Sequence, residues 1–225
     1  MTGQRTTELP TIDAVVLDFD GTILDTEWSE YVTVRDEFRR HGIDYPLDRH
    51  REGVGRGDNR DWLDVLAEAA GPLPDPDEIR SRRRQAHRTL IESSDLRPGV
   101  AELLDRSARC GLPLAVASSS PASWVTGHLT RLGLLDRFGT IATGDRVEQA
   151  KPWPDVFLLA ASELGLEPDR CLAVEDSHNG VTAAKSAGMR CVVVPNRVTA
   201  GSDFSAADLV VDSLAELPWA DLGLG

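Results

Sequence analysis

Apolar residues along the chain gather in short consecutive runs separated by stretches of helical period. Residues 12–17 form a β-branched, apolar run that ends in acid, and similar runs recur at 112–117, 171–174, 191–194 and 209–211. Consecutive apolar positions bury both faces of a strand, as a parallel sheet requires. A shorter run at 138–142 suggests one more strand. Between the runs, residues 101–109, 124–132, 155–164 and 179–187 carry helical patterns, followed by Gly111, Gly133, Gly165 and Gly188. Glycine is expected there, where the chain turns off the helix. Strand and helix alternate, so the predicted class is α/β, a parallel sheet with helices on both faces.

Residues 25–96 break this alternation. They hold no strand-like run, only three helical patterns at 28–41, 58–70 and 77–92. The segment reads as an all-helical insert in a core built from 1–24 and 97–225. Turn-rich stretches, Gly71-Pro72-Leu73-Pro74 within it and Arg97-Pro98-Gly99 at its exit, separate its pieces.

Composition narrows the partners. The 225 residues suffice for one cored domain plus an insert, and 41% hydrophobic with 27% charged residues describes an ordinary globular chain. The net charge of -13 would repel a nucleic-acid backbone and gives no attraction to anionic lipid, so neither nucleic acid nor membrane is expected as a partner. Cys110, Cys171 and Cys191 lack metal-ligand spacing and read as buried small hydrophobes of a reducing compartment. With a polar residue 1–8 stretch and no long apolar run, a cytoplasmic location is the expectation. No sustained heptad is present, so a monomer is expected.

The chemistry-bearing residues sit where strands end, the edge at which open parallel sheets bind ligands. Asp18 and Asp20 close the first run, Ser118 the second and Glu175-Asp176 the run at 171–174, while Lys151 precedes the helix leading into that run. Singly, each has a plain structural use as a turn or helix cap. In order at successive strand ends, they make a set. Asp18-Phe19-Asp20-Gly21-Thr22, Ser118, Lys151-Pro152-Trp153-Pro154-Asp155 and Glu175-Asp176-Ser177 with Gly180 resemble the four motifs of the haloacid dehalogenase-like superfamily. The insert after the first motif resembles the cap of its β-phosphoglucomutase-like branch, and the similarity covers roughly residues 12–211.

The resemblance implies a Rossmann-like core and a Mg²⁺-dependent phosphatase acting through an aspartyl phosphate. Asp18 would be nucleophile and Asp20 acid and base. Asp18, the Asp20 carbonyl and Asp176 would bind the metal directly, with Glu175 acting through water. The chemistry stands without the name: an ionised carboxylate attacks phosphorus with no base to help it, and the acyl phosphate is open to water. Asp20, crowded by carboxylates, is expected to give a proton to the leaving alkoxide and later take one from water. Three acids, Asp18, Glu175 and Asp176, would repel a phosphate dianion unless Mg²⁺ and Lys151 offset them. Ser118 and backbone N–H groups near Ser119 would hold phosphoryl oxygens, and Gly21 would permit the sharp exit aiming both aspartates into one pocket. His178, beside the acidic pair, is expected to open a helix, because Mg²⁺ prefers oxygen.

Specificity is assigned to the insert. The glycine-rich turn Gly53-Val54-Gly55-Arg56-Gly57-Asp58 resembles a substrate-recognition loop, with Arg56 a candidate for a second phosphate or sugar hydroxyls. In the basic run 80–88, Arg83 or Arg84 is a further candidate, and Trp28 is expected to pack within the insert or cover the site. The mutases of this branch carry a histidine early in the first cap helix, where this chain has Glu30. Hydrolysis of a small phosphorylated metabolite, such as a sugar phosphate, is therefore expected ahead of phosphosugar mutation or a catalytically silent binding module.

Overall fold

A computed structural model describes residues 12–220; the polar N-terminal stretch and the outer ends of the core segments lie outside the described residues. Six strands form one sheet: β1 (Ala14–Leu17), β2 (Leu114–Ser118), β3 (Thr140–Thr143), β4 (Cys171–Glu175), β5 (Arg190–Val193) and β6 (Leu209–Val210). Their order is β3-β2-β1-β4-β5-β6, and every pairing is parallel. The run at 138–142 thus yields the strand β3, which starts two residues later and ends one later. β1 lies between β2 and β4, so successive connections leave it in opposite directions. A crevice opens at such a reversal, outside the carboxyl ends of the strands.

Both faces of the sheet are covered, as the consecutive apolar runs require. Val15, Leu17, Val116 and Val174 face one way, against α5 (Val100–Cys110) and α6 (Ala122–Arg131) through Leu103, Leu104, Val125 and Leu129. Ala14, Val16, Ala115 and Val193 face the other, against α7 (Asp155–Leu164) and α8 (His178–Ser186) through Phe157, Ala160, Val181 and Ala184. Of the cysteines, Cys171 and Cys191 are buried as expected, but Cys110 is exposed, because it falls on the outer side of the last turn of α5.

The insert contains four helices, where the hydrophobic pattern predicted three: α1 (Thr26–Arg40), α2 (Leu47–Arg51), α3 (Trp62–Ala70) and α4 (Pro76–Glu92). The helix α2 has five residues and buries none of them, so it leaves no apolar period to read. α3 starts at Trp62, four residues later than the pattern suggested, because the Asp61 side chain accepts the Leu63 N–H at 2.8 Å and caps it there. The insert has a core of its own, with Tyr31, Phe38, Tyr45, Leu66 and Ile79, and Val198 from the loop after β5 is buried within it. Asn179 of α8 donates to the Val54 carbonyl at 2.8 Å, and Arg51 donates to the Val198 carbonyl at 2.6 Å. Among the described residues no helix is long and apolar enough to cross a membrane.

Candidate active site

The loop after β1 sets the centre. Gly21 has φ +82°, and a Cβ there would collide with Asp176 Oδ2 and the Asn196 amide. Only glycine makes that turn at that distance. Gly21 therefore serves by close packing under the acidic pair. Gly180 has a related task, since a Cβ on it would overlap the Glu175 carboxylate. Ser177 caps α8 by accepting the Gly180 N–H at 3.0 Å, so the acidic pair is released from capping. His178 opens α8 and lies 2.7 Å from the Asp203 carbonyl through Nδ1, away from the acids, as its helix-entry reading requires.

Asp18, Glu175, Asp176 and Lys151 meet in the crevice, and all four are buried. Lys151 Nζ donates to Asp18 Oδ1 at 2.6 Å and to Glu175 Oε1 at 2.5 Å. Glu175 Oε2 accepts from the Asp176 N–H at 3.0 Å and the Ser177 hydroxyl at 3.2 Å. Glu175 is thus committed on both oxygens to holding the lysine and the loop. Burial works to lower the Lys151 pKa, but Asp18 and Glu175 together outweigh it and hold the ammonium above its ordinary range. Burial pushes Asp18 up to about 7 and outweighs the lowering by Lys151; Glu175 and Asp20 add to the rise. Asp176 is raised well above the usual carboxylate range, by burial first and then by Asp18 and Glu175.

A fifth carboxylate escaped the sequence reading. Glu27, in the first turn of α1, is raised well above its ordinary value by burial and then by Asp176, Asp20 and Asp18. A helical residue with no motif around it carries no sequence signal of this. Asn196 and Arg97 were missed for the same reason. Asn196 donates to Asp176 Oδ2 at 2.5 Å, and Arg97 donates to the carbonyls of Gly21, Val194 and Pro195, tying the loops of the site together.

The surroundings of Asp20 also depart from expectation. Its side chain is met by donors as well as by acids: Ser120 Oγ lies 2.6 Å from Oδ2, Ser118 Oγ 3.4 Å from Oδ2, and the Trp124 indole N–H donates to Oδ1 at 2.9 Å. Ser118 ends β2 as predicted, and it also accepts the Ser120 N–H at 3.0 Å. Ser119 uses its hydroxyl to hold the insert, donating to the Gly55 carbonyl at 2.9 Å.

A cavity of about 1190 Å³ lies between the insert and these strand ends, with Asp18, Asp20 and Ser118 on its floor. Arg56 lies on its wall, half-exposed and paired through Nε and Nη2 with Asp58 at 2.7 and 2.8 Å. Arg83 is buried and ion-paired with Glu30, whereas Arg84 is exposed. Trp28 packs 5.5 Å from Tyr31, and Arg197 of the core lies 3.9 Å over its ring.

Asp18, Glu175 and Asp176 offer carboxylate oxygens within 4.8 Å of one another, and Asp18 Oδ2 has no hydrogen-bond partner among the described residues. Three buried carboxylates against a single lysine leave excess negative charge, which fits a hard divalent cation with oxygen preference. A Rossmann-like sheet with this acidic, lysine-anchored crevice defines a hydrolase of the phosphatase type.

The comparisons place it more narrowly. The haloacid dehalogenase-like hydrolase family model matches residues 12–188, and the chain belongs to that family. YhcW of Bacillus subtilis (strain 168) is 43% identical over 209 residues, covering 93% of this chain and 95% of its own. A phosphorylated carbohydrates phosphatase of Thermotoga maritima is 34% identical over 182 residues, covering 79% and 82% respectively. The crystal structure of a CbbY variant from Rhodobacter sphaeroides in complex with xylulose-1,5-bisphosphate matches with a TM-score of 0.78 at 33% identity, covering 94% of this chain and 99% of that one.

Proposed function

We propose that this chain hydrolyses the phosphate ester of a small hydroxylated metabolite, a sugar phosphate, through an aspartyl phosphate on Asp18, and that residues 25–96 act as the cap selecting the substrate. The observation that carries the reading is the paired state of Asp18, which lines the cavity: Oδ1 is held by Lys151 at 2.6 Å, and Oδ2 has no hydrogen-bond partner among the described residues. A carboxylate so oriented presents one oxygen to phosphorus. Asp18, Asp176 and the Asp20 carbonyl, with Glu175 behind them, would hold Mg²⁺, which would supply positive charge against which a phosphate dianion can approach these acids.

Within that arrangement Lys151 orients Asp18 and offsets part of the charge on the transferring group. Ser118 hydrogen-bonds a phosphoryl oxygen from the end of β2. Asp20 gives its proton to the leaving alkoxide as the ester P–O bond breaks and the bond from Asp18 to phosphorus forms. In the second half Asp20 takes a proton from the water that cleaves the acyl phosphate. The names of the relatives support a phosphorylated carbohydrate as substrate, and polar side chains on the cavity wall, Arg56, Asn59 and Arg84 among them, suit its hydroxyl groups.

Phosphate release from a panel of sugar phosphates, nucleotides, phosphoglycolate and glycerol phosphates tests the reading. Asp18→Asn is expected to abolish release and any base-labile phosphoenzyme. Conversion of a hexose 1-phosphate to its 6-phosphate without free phosphate would replace the hydrolase with a mutase. Silence across the panel with Mg²⁺ present would point to a binding module.

A further inference from the structure

Outside the family motifs, one aromatic residue touches the acid/base directly. Trp124 is the third residue of α6, and its indole N–H donates to Asp20 Oδ1 at 2.9 Å. Its ring is clamped from two elements. His87 of α4, in the insert, stacks parallel to it at 5.6 Å with an interplanar angle of 6°, and His128 of α6 meets it edge-on at 4.3 Å. His87 is itself buried, with Nε2 at 3.4 Å from Glu30, which is ion-paired with Arg83. A continuous series of contacts therefore runs from α1 and α4 of the insert to the carboxylate of Asp20.

Hydrogen-bond chemistry gives this contact a consequence. An indole N–H can only donate, whereas a serine hydroxyl can rotate to donate or accept. The carbonyl oxygen of a carboxylic acid is a better acceptor than its hydroxyl oxygen, so the indole bond favours Oδ1 as the unprotonated oxygen. The oxygen facing Ser120 and Ser118, at 2.6 and 3.4 Å, is then the one favoured to carry the proton. Oδ2 is thus the oxygen turned toward Ser118, the residue that the proposed mechanism places at the phosphoryl group.

Resting on the acid/base reading of Asp20, we propose that Trp124 is a positioning residue that fixes Oδ2 as the proton-bearing oxygen of Asp20, and that the insert sets Trp124 through the His87 stack. The insert thereby controls the orientation of the acid as well as the choice of substrate. When the insert is seated, the indole lies between two rings and Asp20 has one productive orientation. When His87 withdraws, one ring face of Trp124 is released and the carboxylate can turn.

The test compares leaving groups. The parameter kcat/KM covers the steps up to alcohol release, in which an alkyl leaving group needs the proton and a 2,4-dinitrophenolate does not. The ratio of kcat/KM for a sugar phosphate to that for 2,4-dinitrophenyl phosphate is independent of how much of each variant is folded. Trp124→Phe is expected to lower this ratio about tenfold or more, part of the roughly 10²–10⁴-fold that acid catalysis supplies and that Asp20→Asn should lose. His87→Ala should lower the ratio in the same direction, and His87→Phe, which keeps a flat ring against the indole, should restore it. An unchanged ratio in Trp124→Phe beside a collapsed ratio in Asp20→Asn would overturn the positioning role alone. An unchanged ratio in Asp20→Asn would remove the acid/base reading on which it rests.

Discussion

As the proposed nucleophile, Asp18 combines two conditions that pull against each other. That role requires the ionised form, yet burial pushes it up to about 7, because its desolvation exceeds what Lys151 returns. The linkage sign follows from a folded value raised above the unfolded one near 3.9. The contribution of this group to stability is present below about pH 4 and is lost as pH rises through about 7. In metal-free solution the wild type should therefore lose thermal stability between these limits relative to Asp18→Asn. Excess Mg²⁺ should reduce the difference, because a bound cation favours the ionised form. Melting curves over pH, with and without chelator, check this, and parallel curves for the two proteins in chelator would contradict it. The identity of the acids was legible in the motifs. Their actual partners were not: Asn196 and Asp176 are 20 positions apart, Trp124 and Asp20 are 104 apart, and neither pair has a local pattern.

Among the elements, the insert depends on neutral histidines. Burial pushes His50 down to about 4, between the Tyr31 and Tyr45 rings at 5.5 and 6.0 Å, and Glu27 lies 4.0 Å from its Nε2. His87 is also pushed down to about 4, by burial first and then by Arg83 and His128, while the Thr26 carbonyl opposes the shift. Both folded values lie below the unfolded value of about 6.5, so this stability is present above about pH 6.5 and lost as pH falls through about 4. The buried carboxylates of the core and Glu27 of α1 respond in the opposite sense, so a global melting temperature mixes the two. Hydrogen exchange read in α4, which carries His87 and not Glu27, isolates the histidine contribution. Protection there should fall at pH 4.5 relative to pH 7, and His87→Gln should flatten the change. Equal protection at both pH values would refute the argument. The helices of the insert were visible in the sequence wherever they bury a stripe, and α2, which buries nothing, was invisible for that reason.

Across the molecule, the site exists only while insert and core are joined. Val198 of the core is fully buried in the hydrophobic cluster of the insert, a contact of roughly 1.5–3 kcal/mol. The 52–57 loop is held by Asn179, by Ser119 and by the Gly57 N–H donating to the Lys151 carbonyl at 3.0 Å. Asn179→Ala removes two hydrogen bonds, to Glu52 and Val54, each worth about 1 kcal/mol. It should raise KM several-fold and increase the radius of gyration measured by small-angle scattering, with little change in the thermal midpoint. A melting temperature lowered by many degrees with KM unchanged would instead make Asn179 a structural support of the core.

The order of apolar runs along the chain was enough to specify a parallel α/β core with a helical interruption, because strand burial on both faces and helix periodicity are local properties. The motif acids, Ser118 and Lys151 were readable too, since each occupies a fixed place at a strand end or before a helix. What surrounds those groups came from folding: Glu27 turned into the acidic crevice, Asp20 wrapped by donors, and Trp124 clamped between insert and core. These relations depend on distances between segments remote in sequence, and desolvation, hydrogen bonding and charge pairing take their values only once those distances exist.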